Sequence, residues 1–398
     1  MSSVGDKELS LQGLSIKGES NAPEVGRKDS VDRFGDALTQ RLLSYLALED
    51  RFRLECVSKR FQRVVYEPVT DLIIGDHLST KLNDKSFESI LKKCKHITRI
   101  ELTVNNSRLE SIVKHCPQLA AIDVRFDGDI SDEIMDQFFA TFAKQLKSIK
   151  AYILCEYITV WKCLETNLKS CAEVTKIAVQ YDYHNYFGDN LLHLMSGDDD
   201  NEVLFPKLKA MDFVFAAHDI NHFETFVRNY GQRLTAIEVT VDERNCDDKA
   251  MAVLLGGVSR MPALKDLKIA SSSIDSMDSL PTQLKQIGLN CAQLKRLSLD
   301  LNTKSNKTFR QTIQTINDNY RRIRRLEFSG NPTKEFVLMS DSFNGLTRLS
   351  HLTLLNVTFL FVNQIHDSFP RLQYLRLRKV NISDDVLELV SKLPLYAW

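Results

Sequence analysis

The chain has 398 residues, 43% hydrophobic and 26% charged, and its 52 Lys plus Arg are balanced by 52 Asp plus Glu. This is the composition of an ordinary globular protein or a long repeat array, with no overall field to draw it to nucleic acid or an anionic membrane. The opening MSSVGDKELSLQGLSIKGES lacks the apolar core of a secretory signal, no stretch approaches a membrane span, and the eight cysteines form no CxxC pair. A cytosolic or nuclear, reducing setting is therefore expected, with no membrane.

Residues 1–30 are rich in Ser, Gly, Lys and Glu without apolar periodicity, and are expected to be disordered. The segment 31–68, VDRFGDALTQRLLSYLALEDRFRLECVSKRFQRVVYEP, patterns as short helices. Leu38, Leu42 and Leu46 recur at helical spacing with Leu43 beside them, and Glu49 and Asp50 favour the start of a second helix carrying Phe52 and Leu54. Val57, Phe61, Val64 and Val65 make a third stripe, closed by Pro68. Helices this short bury too little surface to stand alone, so the segment needs a neighbour or a partner.

From residue 69 to 398 one phrase recurs, apolar-x-x-apolar-x-apolar. Its first residues are Ile97, Leu119, Leu146, Val174, Leu208, Leu234, Leu264, Leu294, Ile323, Leu349 and Leu372, with a fainter copy at Val69. The steps run from 119 − 97 = 22 to 208 − 174 = 34, the longest holding the polar stretch MSGDDDNEV, read as a surface loop. Between phrases lie helical stripes, as in FESILKKC and LESIVKHC, where Phe87, Ile90, Leu91 and Cys94 match Leu109, Ile112, Val113 and Cys116. In SDEIMDQFFATFAKQL, Ser131 or Asp132 can cap a helix whose stripe is Ile134, Phe138, Phe142 and Leu146. Cys94, Cys116, Cys171 and Cys291 each stand three residues before a phrase and read as small buried residues at one repeat position; Cys155 and Cys163 also read as core thiols.

This frame is similar to the leucine-rich repeat in its irregular, helix-containing form. The resemblance implies an α/β solenoid, with parallel strands on the concave face, helices on the convex face, and a core supplied by stacking. An Asn eight residues after the first position usually satisfies the turn; here it is Asn105, Asn302 or Asn331, and most units lack it.

The helical segment before the repeats resembles the F-box, whose pattern is L-P-x-E-x-L-x-x-I-L-x-x-L, then an acidic residue, then V-x-K/R-R-W/F. Phe34, Gly35, Asp36, Ala37 and Leu38 stand in the opening, Leu42 to Leu46 follow in register, and Asp50, Val57, Lys59, Arg60 and Phe61 complete it. Gly35 replaces the proline and Ala37 the glutamate, removing a preset φ and a first-turn charge. The resemblance implies a Skp-type adaptor and, through it, a cullin ligase as partners. Val31, Phe34, Gly35, Leu38, Leu42, Leu43, Leu46, Val57 and Phe61 would build or present the adaptor-binding face.

Signatures of chemistry are lacking. His218 and His222 lie four apart without the glutamate of HExxH and read as surface histidines; there is no Gly-rich phosphate loop and no G-x-S-x-G elbow. No enzyme, metal or cofactor is expected. The basic run YRRIRR draws attention to the later phrases, where Arg296, Arg325, His351 and Tyr374 share one strand position and Arg376 and Arg378 follow in the last. Arg296, Arg325, Tyr374, Arg376 and Arg378 are expected to contact a protein substrate, a carboxylate-rich or phosphorylated segment suiting them best. Aromatic residues are too sparse there for a nucleic-acid platform. The leading reading is a non-catalytic substrate receptor of an SCF-type ubiquitin ligase; the alternative is a repeat scaffold whose F-box is degenerate and whose partners are not degraded.

Overall fold

The structure is a computed structural model describing residues 35–128, 130–153, 158–181, 191–196, 203–242, 246–271, 279–301, 305–330, 337–360, 369–378 and 381–382. The expected disordered tail, Cys155, Asn302, Asn331 and most of MSGDDDNEV lie outside them. The chain divides into two compact units, one ending at Val65 and one beginning at Tyr66.

In the first unit, α1 (Asp36–Leu43) turns Thr39 and Leu43 inward. Arg51, in α2 (Leu48–Arg53), reaches the chain leaving α1, donating to the carbonyls of Leu46 (2.9 Å) and Ser44 (3.1 Å). Ser44 is the C-cap of α1, and its carbonyl is an acceptor that a helix end leaves open. Arg63 of α3 (Lys59–Tyr66) meets Asp36 at 2.6 Å. Val57 stands ahead of α3 and is exposed, so it does not belong to the expected third stripe; Ser58 instead accepts the Phe61 N–H at 3.1 Å.

The second unit is built on an open, twelve-stranded parallel sheet whose strands follow chain order from Asp71–Ile73 to Tyr374–Arg378. Each phrase contributes one strand, the faint copy at Val69 included. Just ahead of each strand, the residue after the first apolar position donates its N–H to the carbonyl of the same position one unit back. This ladder runs unbroken from Thr98→Thr70 to Gln373→Ser350, at 2.7–2.8 Å throughout. Along each strand alternate residues enter the core: in Arg99–Val104 these are Ile100, Leu102 and Val104. Helices cover them, the rings of Phe213 and Phe215 meeting Phe226 and Phe223, and Phe328 meeting Phe309.

The helices begin on side-chain caps where polar residues permit. Asn83, Asn105, Ser131, Asp247 and Ser305 each accept a backbone N–H three residues on. Asn105 thus satisfies a backbone N–H after its strand by capping the helix Asn106–His115. The helix Asp132–Phe142 buries Met135 and Phe139 with Phe138 and Phe142, a stripe one row wider than the spacing predicts. In the last units the layer changes: Val337–Met339, Thr358–Leu360 and Asn381–Ile382 form a second, three-stranded parallel sheet. The final steps, 349 − 323 = 26 and 372 − 349 = 23, are among the shorter ones, and an extended strand covers the span in fewer residues than a helix.

Cys94, Cys116, Cys171 and Cys291 are buried, and burial pushes their thiols up to about 12, 12, 11 and 11. The same repeat position also takes Phe205, Met261, Tyr320 and Phe369, all buried, so it conserves burial and not the small size expected. Where Tyr320 fills it, the ring lies over Gly288, whose missing Cβ would stand 2.9 Å from it, and the hydroxyl donates to the Leu284 carbonyl at 2.7 Å. One buried cation escapes sequence patterning. Arg108, 7% exposed, meets Asp84 at 3.2 Å and donates to Ser79 Oγ and to the carbonyls of Ser79, Leu82 and Thr103.

One outward position is also buried. Asp212, 8% exposed, accepts from Gln180 Nε2 at 2.8 Å through one oxygen, while the other has no partner. Burial, helped by Glu238 beside it in register, raises its carboxyl from the ordinary 3.8 to about 6. A raised folded-state value means that ionisation opposes folding fully above about pH 6, and not at all below the unfolded value near pH 4. Asp212→Asn is therefore expected to stabilise the protein by about 1–3 kcal/mol at pH 7.5 and to lose that gain by pH 4. Thermal unfolding at both pH values checks this; an equal shift at the two would show that charge is not the cause.

Candidate protein-interaction site

Five of the nine large apolar side chains exposed among the described residues belong to the first unit: Leu38, Leu42, Tyr45, Leu46 and Val57. Leu38 and Leu42, 46% and 48% exposed, stand one helical turn apart on α1, while Leu43 and Phe61 are buried at 5% and 9%. The nine residues expected at an adaptor face thus separate. Leu38, Leu42, Leu46 and Val57 are presented, Leu43 and Phe61 form core, and Val31 and Phe34 lie outside the described residues. Tyr45, 76% exposed, joins the presented set and was missed, although its spacing of three from Leu42 is the signal that finds it. Exposed large apolar side chains gathered in one short segment make it a candidate for interaction.

Gly35 is the N-cap of α1, with φ −59° and ψ 159°, and supplies no side-chain cap. Its carbonyl accepts from the N–H groups of Leu38 and Thr39, both at 3.1 Å. A Cβ at this position would meet nothing within 4 Å, and Ala37 is exposed.

On the repeat unit the sheet register brings the other expected residues together. Arg296, Arg325, His351 and Tyr374 occupy one line across four neighbouring strands. Arg376 lies beside Thr353 and Arg378 beside Leu355, so neither faces a carboxylate in register. The His351 and Tyr374 rings stack at 5.6 Å, and burial followed by Arg325 and Arg296 lowers the histidine's proton affinity. Arg296 differs from the others because Asp266, one strand earlier on the same line, pairs with it at 3.0 Å. Farther back the outward charges are also paired: Lys268 with Glu238, and Lys150 with Asp123 at 3.4 Å. Uncompensated positive charge therefore gathers on the last strands.

His218 and His222 do not form a ligand pair. His218 is exposed beside Asp219 at 3.6 Å, while His222 is half-buried against the His193 ring and bonded to Ser196 Oγ at 2.7 Å. Among the described residues no group of three or more His, Cys, Asp or Glu could hold a metal ion, and no helix is long and apolar enough to cross a membrane.

No family model matches the chain, and no curated protein matches it. Solved structures do. A chain of the crystallised yeast Rad7 and Elc1 complex is 13% identical over 88% of this chain and 89% of its own, with a TM-score of 0.55. The leucine-rich repeat-containing protein LegL7 of Legionella pneumophila is 15% identical over 82% and 98%, at 0.42. The internalin inlF of Listeria monocytogenes is 13% identical over 80% and 90%, at 0.36. The open parallel sheet with one strand per phrase, together with the first of these likenesses, gives the fold as an α/β leucine-rich-repeat solenoid.

Proposed function

We propose that this chain is a non-catalytic substrate-recognition subunit of an SCF-type ubiquitin ligase, working in the cytoplasm or nucleus. Its F-box-like helices would bind a Skp-type adaptor and its repeats a protein target. The observation that carries the reading is the exposed set Leu38, Leu42, Tyr45, Leu46 and Val57, on a segment whose residues match the F-box and which precedes leucine-rich repeats. The complex of Rad7 with Elc1, in which a chain of this fold occurs, supports a role in carrying a protein partner. Such a subunit acts by proximity and orientation and makes no bonds itself.

The second reading, a scaffold whose F-box has decayed, is favoured by the uncapped start of α1 at Gly35 and by Ala37 where the F-box has an acid. Co-purification with a Skp-type adaptor separates the two. Leu42→Asp with Leu46→Asp is expected to abolish capture while leaving the far-UV circular dichroism unchanged, since both side chains are exposed. Failure of the unmutated protein to capture any adaptor would leave the scaffold.

Restoring the family residues should strengthen the same contact. The Gly35 φ of −59° is one a proline ring adopts, and the space around it is open. Gly35→Pro with Ala37→Glu is expected to tighten adaptor binding about fivefold, roughly 1 kcal/mol, by calorimetry. Weaker binding would show that the glycine is needed in the complex.

For the target, the row ending at Tyr374, with Arg376 and Arg378, is the proposed contact. Truncating one desolvated Arg–anion contact typically costs about 2 kcal/mol or more. Arg376→Glu with Arg378→Glu should lose target proteins in proximity labelling and keep the adaptor. An unchanged set of labelled proteins would move the contact to the middle repeats.

A further inference from the structure

A second cationic feature lies off the outward face, at the edge where the chain enters the last strands. Arg324, Arg348 and Arg371, with Ser350 and Gln373, line a pocket of 770 Å³. Three successive phrases supply these residues, and neighbouring strands lie about 4.8 Å apart, so guanidiniums from all three can converge on one small anion.

What these arginines do not do is informative. In three earlier phrases the side chain just before the phrase ties its unit to the preceding one: Gln145 donates to the carbonyls of Pro117 and Leu119, Arg233 to Pro206, and Arg322 to Ala292. Arg348 and Arg371 hold that same position in the last two phrases and make no such bond among the described residues. Arg324 likewise has no side-chain acceptor there, and no described carboxylate pairs with any of the three. All three are exposed. The backbone groups beneath are already spent, since Ser350 and Gln373 donate their N–H groups to Arg324 and Ser350 at 2.8 Å. The pocket's free donors are therefore side chains, mainly three guanidiniums.

We propose that this pocket binds a phosphorylated serine or threonine within an extended segment of a partner protein. A phosphomonoester brings close to two negative charges and three acceptor oxygens, enough to engage several forked guanidiniums, where a carboxylate brings one charge and two oxygens. The volume far exceeds one phosphoryl group, so residues flanking it enter as well, and the stacked rings of His351 and Tyr374 on the adjoining strand position offer them a face. That lone ring pair is too little to stack successive bases of a nucleic acid, and Pro370 is the one exposed apolar side chain of the lining, too little to anchor it in a lipid surface. The inference does not depend on the ligase reading.

The test uses the full chain and fluorescently labelled degenerate peptide pools with phosphoserine, serine or aspartate fixed at the centre. The phosphoserine pool is expected to bind at least about tenfold tighter than the serine pool, with aspartate between them, and to weaken as salt rises. Arg348→Gln with Arg371→Gln should remove the preference at an unchanged melting temperature, since both side chains are exposed; Arg348→Lys with Arg371→Lys should keep only part of it, because lysine cannot bind bidentately. Equal binding of the three pools, or a preference that survives the glutamine substitutions, overturns the proposal. So does displacement of the peptide by a single-stranded oligonucleotide or by anionic vesicles at lower concentration than by unlabelled phosphopeptide.

Discussion

The repeat unit depends on a single chain of backbone hydrogen bonds, each joining one phrase to the last at the same repeat position. Eleven such bonds, from Thr98→Thr70 to Gln373→Ser350, hold the phrases in one register although the steps between them vary from 22 to 34 residues. In a sheet a slip of one residue would turn every inward leucine outward, so each bond also decides which side chains reach the core. The variation in length is left to the covering layer, which is helical through most of the array and extended in the last units. Residues far apart in sequence, such as Arg296 and Tyr374, come into line for the same reason.

Much of this was legible in the sequence because the phrase is a period-two pattern with a fixed frame. Even the weak copy at Val69 marks a strand, and the alternation correctly assigns Ile323 and Leu326 to the core and Arg325 to the outward face. What escaped has a common cause: it depends on what lies across from a residue, which periodicity does not report. Asp266 neutralises Arg296 from the neighbouring strand, Asp212 is covered on a face read as solvent, and Arg108 is enclosed by the chain before it. The short helices of the first unit show the same limit. Leu38, Leu42 and Leu43 are alike by hydrophobicity, yet only Leu43 is covered. In an eight-residue helix no long stripe exists to distinguish the face turned inward from the face presented.

The distribution of charge is more specific than the balanced composition suggests. Along the earlier outward rows acids and bases neutralise each other, as in Lys150 with Asp123 and Lys268 with Glu238. On the last strands and at their entry, arginines outnumber the acids in register with them. A molecule with no net charge thus retains a local positive field, which short-range contacts can use with little attraction at distances beyond about 10 Å.

The buried guanidinium of Arg108 has a consequence for how the array comes apart. In a linear stack each unit is held only by its neighbours, so opening proceeds by unzipping from an end. Arg108 stitches the early units through four hydrogen-bond acceptors and a carboxylate, drawn from residues 79 to 103. At the other end Leu375 and Leu377 are only half-buried, whereas their counterparts Leu352 and Leu354 are fully enclosed. Among the described strands, Tyr374–Arg378 is thus the less enclosed and the easier to open, and the unspent arginines stand beside it. A partner that grips those strands would hold them closed, and its hold would be felt as slower opening along the whole array.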